Sequence, residues 1–238
     1  MERLPRQQRA VPVPRRPVHA TRVGSNDWRS GLPILTGVMV TLRELQTADA
    51  PALFAAMSTA EVAKFISPPP TSVAGFERFI EWTRSQRAAG QYVCFAVTAR
   101  GSDQAIGLFQ VRSLETDFGT AEWGFALASE FWGTGMFMDG AQLVVDFAFE
   151  VIGVRRLEAR AVVKNGRGNG ALRKLGAVTE CILRRSFMRN GEYYDQMLWT
   201  ILSDDWRDSR RGWISAGTPL TSIADWPSAS SISIFLQN

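Results

Sequence analysis

The spacing of apolar residues changes several times along the chain, and each change marks an element. Across Ala121–Leu127 the period is two. Trp123, Phe125 and Leu127 alternate with Glu122, Gly124 and Ala126, as on a strand with two unlike faces. After Phe131-Trp132-Gly133-Thr134-Gly135 the period becomes helical: Gly140, Leu143, Val144, Phe147 and Val151 share one side, and Asp139, Gln142, Asp146 and Glu150 the other. The centre of the chain therefore reads as strand, glycine turn, helix.

Upstream, Val38–Arg43 reads as a strand. Thr47-Ala48-Asp49-Ala50-Pro51 reads as a helix start, with the Thr47 hydroxyl as cap and Leu53, Phe54 and Met57 on the buried side. Pro68-Pro69-Pro70 breaks the chain. Ser72–Ala89 predicts a second helix, with Phe76, Phe79, Ile80 and Thr83 inward and Gly90 closing it. Three antiparallel strands follow, over 92–99, 105–114 and 120–127, with turns at Arg100–Asp103 and Thr116–Gly119. Downstream of the central helix, Arg155–Val162 is a strand and Asn165–Leu175 a short helix ended by Gly176. Val178–Arg189 and Glu192–Leu202 then form a hairpin about Asn190-Gly191, a type I′ turn pair. Strands flanking single helices predict an α/β fold on a mixed sheet.

The ends differ from the middle. Residues 1–37 are rich in Pro and Arg, and Pro5, Pro12, Pro14 and Pro17 forbid a continuous helix, so this segment reads as a basic, disordered tail. A targeting leader is the weaker reading, because the prolines spoil an amphipathic helix. Residues 207–238 are Ser-rich and lose periodicity but carry Trp213, Trp226 and Phe235; they form a C-terminal extension, docked or disordered. The folded domain is expected over 38–206.

Charge sharpens this division. The net charge is +4, but residues 1–30 hold seven Arg against Glu2 and Asp27, leaving 20 basic and 21 acidic residues elsewhere. A near-neutral domain asks for no nucleic-acid partner beyond a weak contact of the tail. No apolar run approaches the ~20 residues of a membrane span. Cys94 and Cys181 lie far apart in strand-like surroundings and read as buried free thiols, which points to a reducing, cytoplasmic setting. With no histidine near them, no zinc site is expected. The only histidine, His19, lies in the tail, so a Ser-His-Asp or Cys-His mechanism lacks its base. The turn Gly133-Thr134-Gly135 has neither a Walker lysine nor a third glycine.

A helix start leaves N–H groups unpaired and partly positive, and glycines before it let an anion reach the main chain. By itself Gly133-Thr134-Gly135 reads equally as a phosphate cradle or an ordinary connection. Its company decides. The run Ala121–Asp139 resembles the acyl-CoA pyrophosphate loop of GNAT N-acetyltransferases, in particular the ribosomal-protein-alanine N-acetyltransferase branch, where a strand ends in aromatics before Trp-Gly-x-Gly. Asn165–Ala177 resembles the family's Asn-x-x-Ser segment ending in Lys-Leu-Gly, here Lys174-Leu175-Gly176, and Gly191–Leu202 with Asp205-Trp206 resembles its closing hairpin. The likeness spans Val38–Trp206. Two departures stand out. Gly168 replaces the serine that in some relatives protonates the departing thiolate. Phe137 fills a usually small position, where it either crowds the cradle or turns into the core.

The resemblance implies a mixed, mostly antiparallel sheet, splayed in the middle, with helices on both faces. It implies transfer of acetyl from acetyl-CoA, without a metal, to a primary amine. Cofactor contacts are expected from the backbone of Gly133, Thr134, Gly135, Met136 and Phe137, from the strand edge Phe125, Ala126 and Leu127, and from Asn165, Asn169 and Arg173. An N–H near Leu127 would receive the charge developing on the thioester oxygen. Glu122, which shares a face with the small Gly124 and Ala126, is the expected base, against the alternative of an ion pair with Arg160. Tyr193 is expected near the site. The acceptor is expected to be a protein N-terminal α-amine of ribosomal type. The alternatives are a small amine (antibiotic or polyamine) or a silent CoA-binding module, for which Gly168 speaks. The chain is expected as monomer or homodimer.

Overall fold

A computed structural model describes residues 27–215, with side chains described through residue 209. Its strands are β1 (Leu35–Thr36), β2 (Val40–Glu44), β3 (Tyr92–Ala99), β4 (Ala105–Ser113), β5 (Thr120–Leu127), β6 (Arg156–Val162), β7 (Val178–Arg189) and β8 (Glu192–Leu202). They form one sheet in the order β1-β2-β3-β4-β5-β6-β8-β7. Every neighbouring pair is antiparallel except β5 and β6. The sheet is thus mixed and mostly antiparallel.

Residues directly opposite one another share a face, so the registers define rows. On one face run Tyr92, Arg112, Glu122, Glu158 and Thr200, and beside them Cys94, Gln110 and Gly124. On the other run Val93, Val111 and Trp123, then Phe95, Phe109 and Phe125. The aromatic face is covered by α4 (Met136–Phe147) and α5 (Gly166–Leu175). Phe147 meets Phe95 edge-on at 5.2 Å, and Leu172 and Leu175 join the same core. A Cβ on Gly140 would stand 2.7 Å from the Phe109 ring, so glycine there lets helix and sheet close up. The opposite face is covered by α1 (Ala50–Met57) and α3 (Val73–Ala88), whose Leu53, Met57, Phe76 and Ile80 pack with Tyr92, Cys94, Ala96 and Leu108. Each large side chain buried this way contributes about 1.5–3 kcal/mol. Helices on both faces follow from strands with two apolar faces.

Several local expectations are corrected. Thr47 does not cap the helix at residue 50 but opens a 3-10 turn, Thr47–Asp49, in front of it. Asp49 closes that turn by accepting the Gln46 N–H at 2.8 Å and is clamped by the two terminal Arg43 guanidinium nitrogens at 2.7 and 2.8 Å. A four-residue helix, α2 (Ala60–Ala63), had no periodic signal because it is barely one turn. Val151 leaves the apolar stripe and is 41% exposed. A π turn over Ala148–Ile152 adds a residue to the last turn, and Phe149 turns inward instead. Cys181 is free but exposed, because β7 is the edge strand; Cys94 is free and buried. The fold also starts before Val38. Trp28 is buried edge-on against Phe118 at 5.7 Å, and β1 lies within the expected tail. Residues 1–26 lie outside the described part.

The chain divides into Val18–Trp206 and a second unit, Met1–Pro17 with Arg207–Asn238. Of the second unit only 207–215 is described, as the distal part of α6 (Ser203–Ser215), so helix continues where periodicity had faded. Residues 216–238, including Trp226 and Phe235, lie outside the described part.

Candidate active site

The sheet parts between β5 and β6. Their parallel pairing covers only Thr120↔Arg156, Ala121↔Leu157 and Glu122↔Glu158. Beyond that, β6 stays with β8 as far as Val162↔Gln196, while β5 stays with β4 as far as Leu127↔Gly107. Among the described residues no strand pairs with Trp123–Leu127 on the side away from β4. Ala128 N–H donates to Ile106 O at 2.9 Å, and Thr120 O accepts from Leu114 N–H at 3.0 Å. Even-numbered residues of β5 therefore point their backbone groups at β4. By alternation, Trp123, Phe125 and Leu127 direct theirs into the gap. The Leu127 carbonyl is already taken by the Trp132 indole N–H at 2.9 Å.

The glycine turn stands at the wide end of this gap. After a 3-10 turn over Ser129–Phe131, Gly133 (φ 77°) and Gly135 (φ 96°) take left-handed conformations that favour glycine. Thr134 braces the turn: its Oγ1 donates to Phe131 O at 2.7 Å and accepts Met136 N–H at 3.4 Å. Gly135 caps α4 without a side chain, and the first bond into the helix is Asp139 N–H to Gly135 O at 3.1 Å. The N–H groups of Phe137 and Met138 thus have no partner within the helix. The Phe137 ring turns onto the sheet, 4.5 Å from Phe125 and 5.8 Å from Phe109, and does not fill the turn. Arg167 lies over the Trp132 ring at 4.3 Å, bringing a cation beside it.

At the narrow end lies Glu122, its side chain 23% exposed. It pairs with Arg112, directly opposite on β4, and Arg160 Nε stands 3.8 Å from its Oε1. Glu158 beside it is held by Arg156 at 2.8 Å. The ion pair with Arg160 weighed as an alternative is therefore present, joined by one with Arg112. In the next row Gln110 lies against Gly124, where an added Cβ would come within 2.9 Å of its Nε2. The Tyr92 hydroxyl donates to Gln110 Oε1, and burial pushes the phenol, like the Cys94 thiol, well above its ordinary range. Both keep their protons at neutral pH.

The structure does not bring every expected residue here. Asn169 is buried, and its Nδ2 donates to Val162 O (2.9 Å), Val163 O (3.3 Å) and Asn165 O (2.9 Å) while its Oδ1 accepts the Trp199 indole N–H at 2.9 Å. Its side chain joins β6, α5 and β8 in the core. Asn165 is the α5 cap, its Oδ1 accepting Gly168 N–H at 2.9 Å. Arg173 lies over Trp199 at 5.7 Å, on a different face of α5 from Arg167. Tyr193 is 62% exposed near the hairpin tip. It lies seven residues from Thr200, which shares the row of Glu122; that is about 23 Å along a strand, too far for joint catalysis. Leu127 and Glu122 are likewise about 17 Å apart along β5, so one reacting centre cannot touch both.

Three residues escaped the sequence reading. Asp139 accepts N–H bonds from Val38 (3.1 Å), Met39 (2.7 Å) and Val40 (3.0 Å), tying the start of β2 to the helix start. An acid in a first helical turn was a visible signal, but its partners lie about a hundred residues away. Arg167 and Arg112 are single charges in unremarkable contexts, and only tertiary structure places them.

A sheet that parts beside an open, glycine-flanked helix start has the architecture of an acyltransferase whose donor carries a diphosphate. The chain belongs to the GNAT family: residues 39–178 match the acetyltransferase (GNAT) domain. It is a GNAT-type N-acetyltransferase, and enzymes of this family use acetyl-CoA. It is 26% identical over 168 residues to the uncharacterized N-acetyltransferase p20 of Bacillus licheniformis, covering 70% of this chain and 94% of that one. It is 27% identical over 173 residues to the uncharacterized N-acetyltransferase YoaA of Bacillus subtilis, covering 71% and 97%. Its fold is shared with the ribosomal-protein-S5-alanine acetyltransferase of Vibrio fischeri, with a TM-score of 0.66 and 19% identity over 73% of this chain and 98% of that one. Among the described residues no group of three or more His, Cys, Asp and Glu is placed to hold a metal, and no helix is long and apolar enough to cross a membrane.

Proposed function

We propose that this chain transfers the acetyl group of acetyl-CoA to a primary amine, with a protein N-terminal α-amine as acceptor. The observation that carries the reading is the juxtaposition of unpaired amides at the start of α4 with the vacant strand edge of β5. A diphosphate at Gly133–Phe137 meets partly positive N–H groups and the nearby Arg167. An extended arm leading away from it can pair with Leu127 and Phe125, which carries a thioester toward Gly124. Only glycine at 124 leaves the floor low there.

The amine nitrogen attacks the acyl carbon; the C–N bond forms, the C–S bond breaks, and the sulfur leaves as thiolate. An ammonium has no lone pair, so its proton must go first. Glu122 receives it in this reading, through water. Arg112 and Arg160 steady its carboxylate. With Leu127 too far from Glu122, the N–H of Phe125 takes over as donor to the developing oxyanion. The α-amine acceptor is supported by the likeness to the ribosomal-protein branch. Replacing Glu122 by Gln is expected to lower kcat by roughly 10- to 100-fold while acetyl-CoA affinity stays within about twofold. Unchanged turnover between pH 6 and 9 would remove Glu122 from the mechanism. Thiol release with peptide but not with small amines supports the α-amine acceptor; the reverse pattern replaces it with a small molecule.

A further inference from the structure

The floor beside Glu122 is bounded on one side by an aromatic ledge. Phe79 and Trp82 of α3 stack at 6.1 Å and 27°, and Trp82 tilts against Tyr92 at 5.0 Å. Tyr92 stands directly opposite Arg112, which stands opposite Glu122, so the ledge and the expected base share one row of the sheet. Tyr92 also touches the next row through its hydroxyl on Gln110, the neighbour of Gly124. Phe76, behind the ledge, is fully buried and fixes it to the core, yet Trp82 remains 46% exposed. A large aromatic held by packing on one side and open on the other offers a flat apolar contact at little cost in side-chain entropy.

Charge narrows what that contact fits. Each floor carboxylate already has a guanidinium partner, Glu122 with Arg112 and Arg160, Glu158 with Arg156. Glu81 precedes Trp82 and points about 100° around the helix from it. A polycation would find no unpaired carboxylate in the floor, and Arg112, whose side chain is 55% exposed, would repel it. A single amine, which must lose its charge to react, does not need such a partner.

We propose that Trp82, with Phe79 beside it and the buried Tyr92 behind it, forms the acceptor shelf, and that it selects amines flanked by a flat, apolar group over polyamines. This rests on the transferase reading of the gap, and the test separates the two. Binding of 2-phenylethylamine and of spermidine to the full chain, without acetyl-CoA, is measured by calorimetry for wild type, Trp82→Phe and Trp82→Ala. Phenylethylamine is expected to bind wild type more tightly than spermidine does. Its affinity should survive in Trp82→Phe within about threefold and fall by roughly tenfold in Trp82→Ala. Equal binding to all three proteins, tighter binding of spermidine, or no binding of phenylethylamine to folded wild type would overturn the proposal. Should Trp82→Ala fail to fold, Trp82→Leu, which keeps apolar bulk without the flat ring, is expected to show at least a fivefold loss; an undiminished affinity there overturns it equally. Thiol release from acetyl-CoA is assayed separately with the same amine. Its absence with this amine and with a peptide α-amine alike strikes the transferase reading and leaves the binding comparison to decide the shelf.

Discussion

Two helices on the same face of the sheet begin in glycine-rich sequence, and they present opposite chemistry. At α4 the cap is Gly135, with no side chain; Met136 N–H reaches Thr134 Oγ1 at 3.4 Å, and the Phe137 and Met138 amides have no partner within the helix. At α5 the cap is Asn165, whose Oδ1 takes the Gly168 N–H, while Asn169 stitches the first turn to the ends of β6 and β8. Gly133-Thr134-Gly135 and Gly166–Gly170 look alike in composition, yet only the second has a side chain capping the third helical amide. What separates them is whether a side chain near the start takes the third amide of the helix, as Asn165 takes that of Gly168 and nothing in the helix takes that of Met138. Glycine permits a cradle; the absence of a capping carbonyl makes one.

The largest effect that would break this comparison is at α4. Gly135→Glu is expected to weaken acetyl-CoA by at least ~100-fold, since it sets a carboxylate among amides that would face a diphosphate and forces a side chain into φ 96°. Gly135→Ala carries the same backbone strain, of about 1–2 kcal/mol, without the charge, and its added Cβ meets only Met39 Sδ, at 3.3 Å. Its loss of affinity should be far smaller. Calorimetric titration of both separates charge from strain; equal losses would mean that the turn's shape, not its open amides, is what matters.

At α5 the largest effect should fall on stability. Asn169→Ala removes a buried amide and strands the Trp199 indole N–H, while the Val162 and Asn165 carbonyls keep the backbone N–H groups of Asn165 (2.8 Å) and Asn169 (3.0 Å). The expected cost is roughly 2–4 kcal/mol in urea unfolding, with acetyl-CoA affinity unchanged below the transition. A loss of affinity at full stability would return Asn169 to the cofactor and erase the contrast.

These two helix starts also show where sequence suffices. The strands, the central helix and the Asn190-Gly191 turn were legible because each rests on local periodicity or on a local backbone requirement; Asn190 and Gly191 do take positive φ values of 51° and 80°. The gap was legible only through the resemblance, since nothing local says that β6 will pair with β5 for just three residues. Asn169, expected at the cofactor, was not legible as a core joint because its partner, Trp199, is thirty residues away. The exposed position of Tyr193, expected near the site, was not legible because motif proximity does not measure distance along a hairpin. Glu122 was placed on the correct face by alternation alone. Its guanidinium partner Arg112 was not foreseen, because pairing across strands depends on register, which period-two patterns leave open.

The smallest effect concerns Gly168, where relatives carry serine. A Cβ there would lie 2.6 Å from Asn165 Nδ2, so a serine and the present cap exclude one another unless Asn165 moves. Gly168→Ser should therefore cost about 1 kcal/mol, the worth of the cap, and Asn165→Ala about the same. The two costs arise from one interaction, so they should not add. In the Asn165→Ala background the serine is expected to be neutral, or stabilising by a few tenths of a kcal/mol through its better helix propensity. Turnover should not rise in either background, because position 168 is buried against the Asn165 cap. A serine that raises kcat, whatever it does to stability, would show that the α5 start reaches the reacting sulfur after all, and the two helix starts would then have to be read as parts of one site.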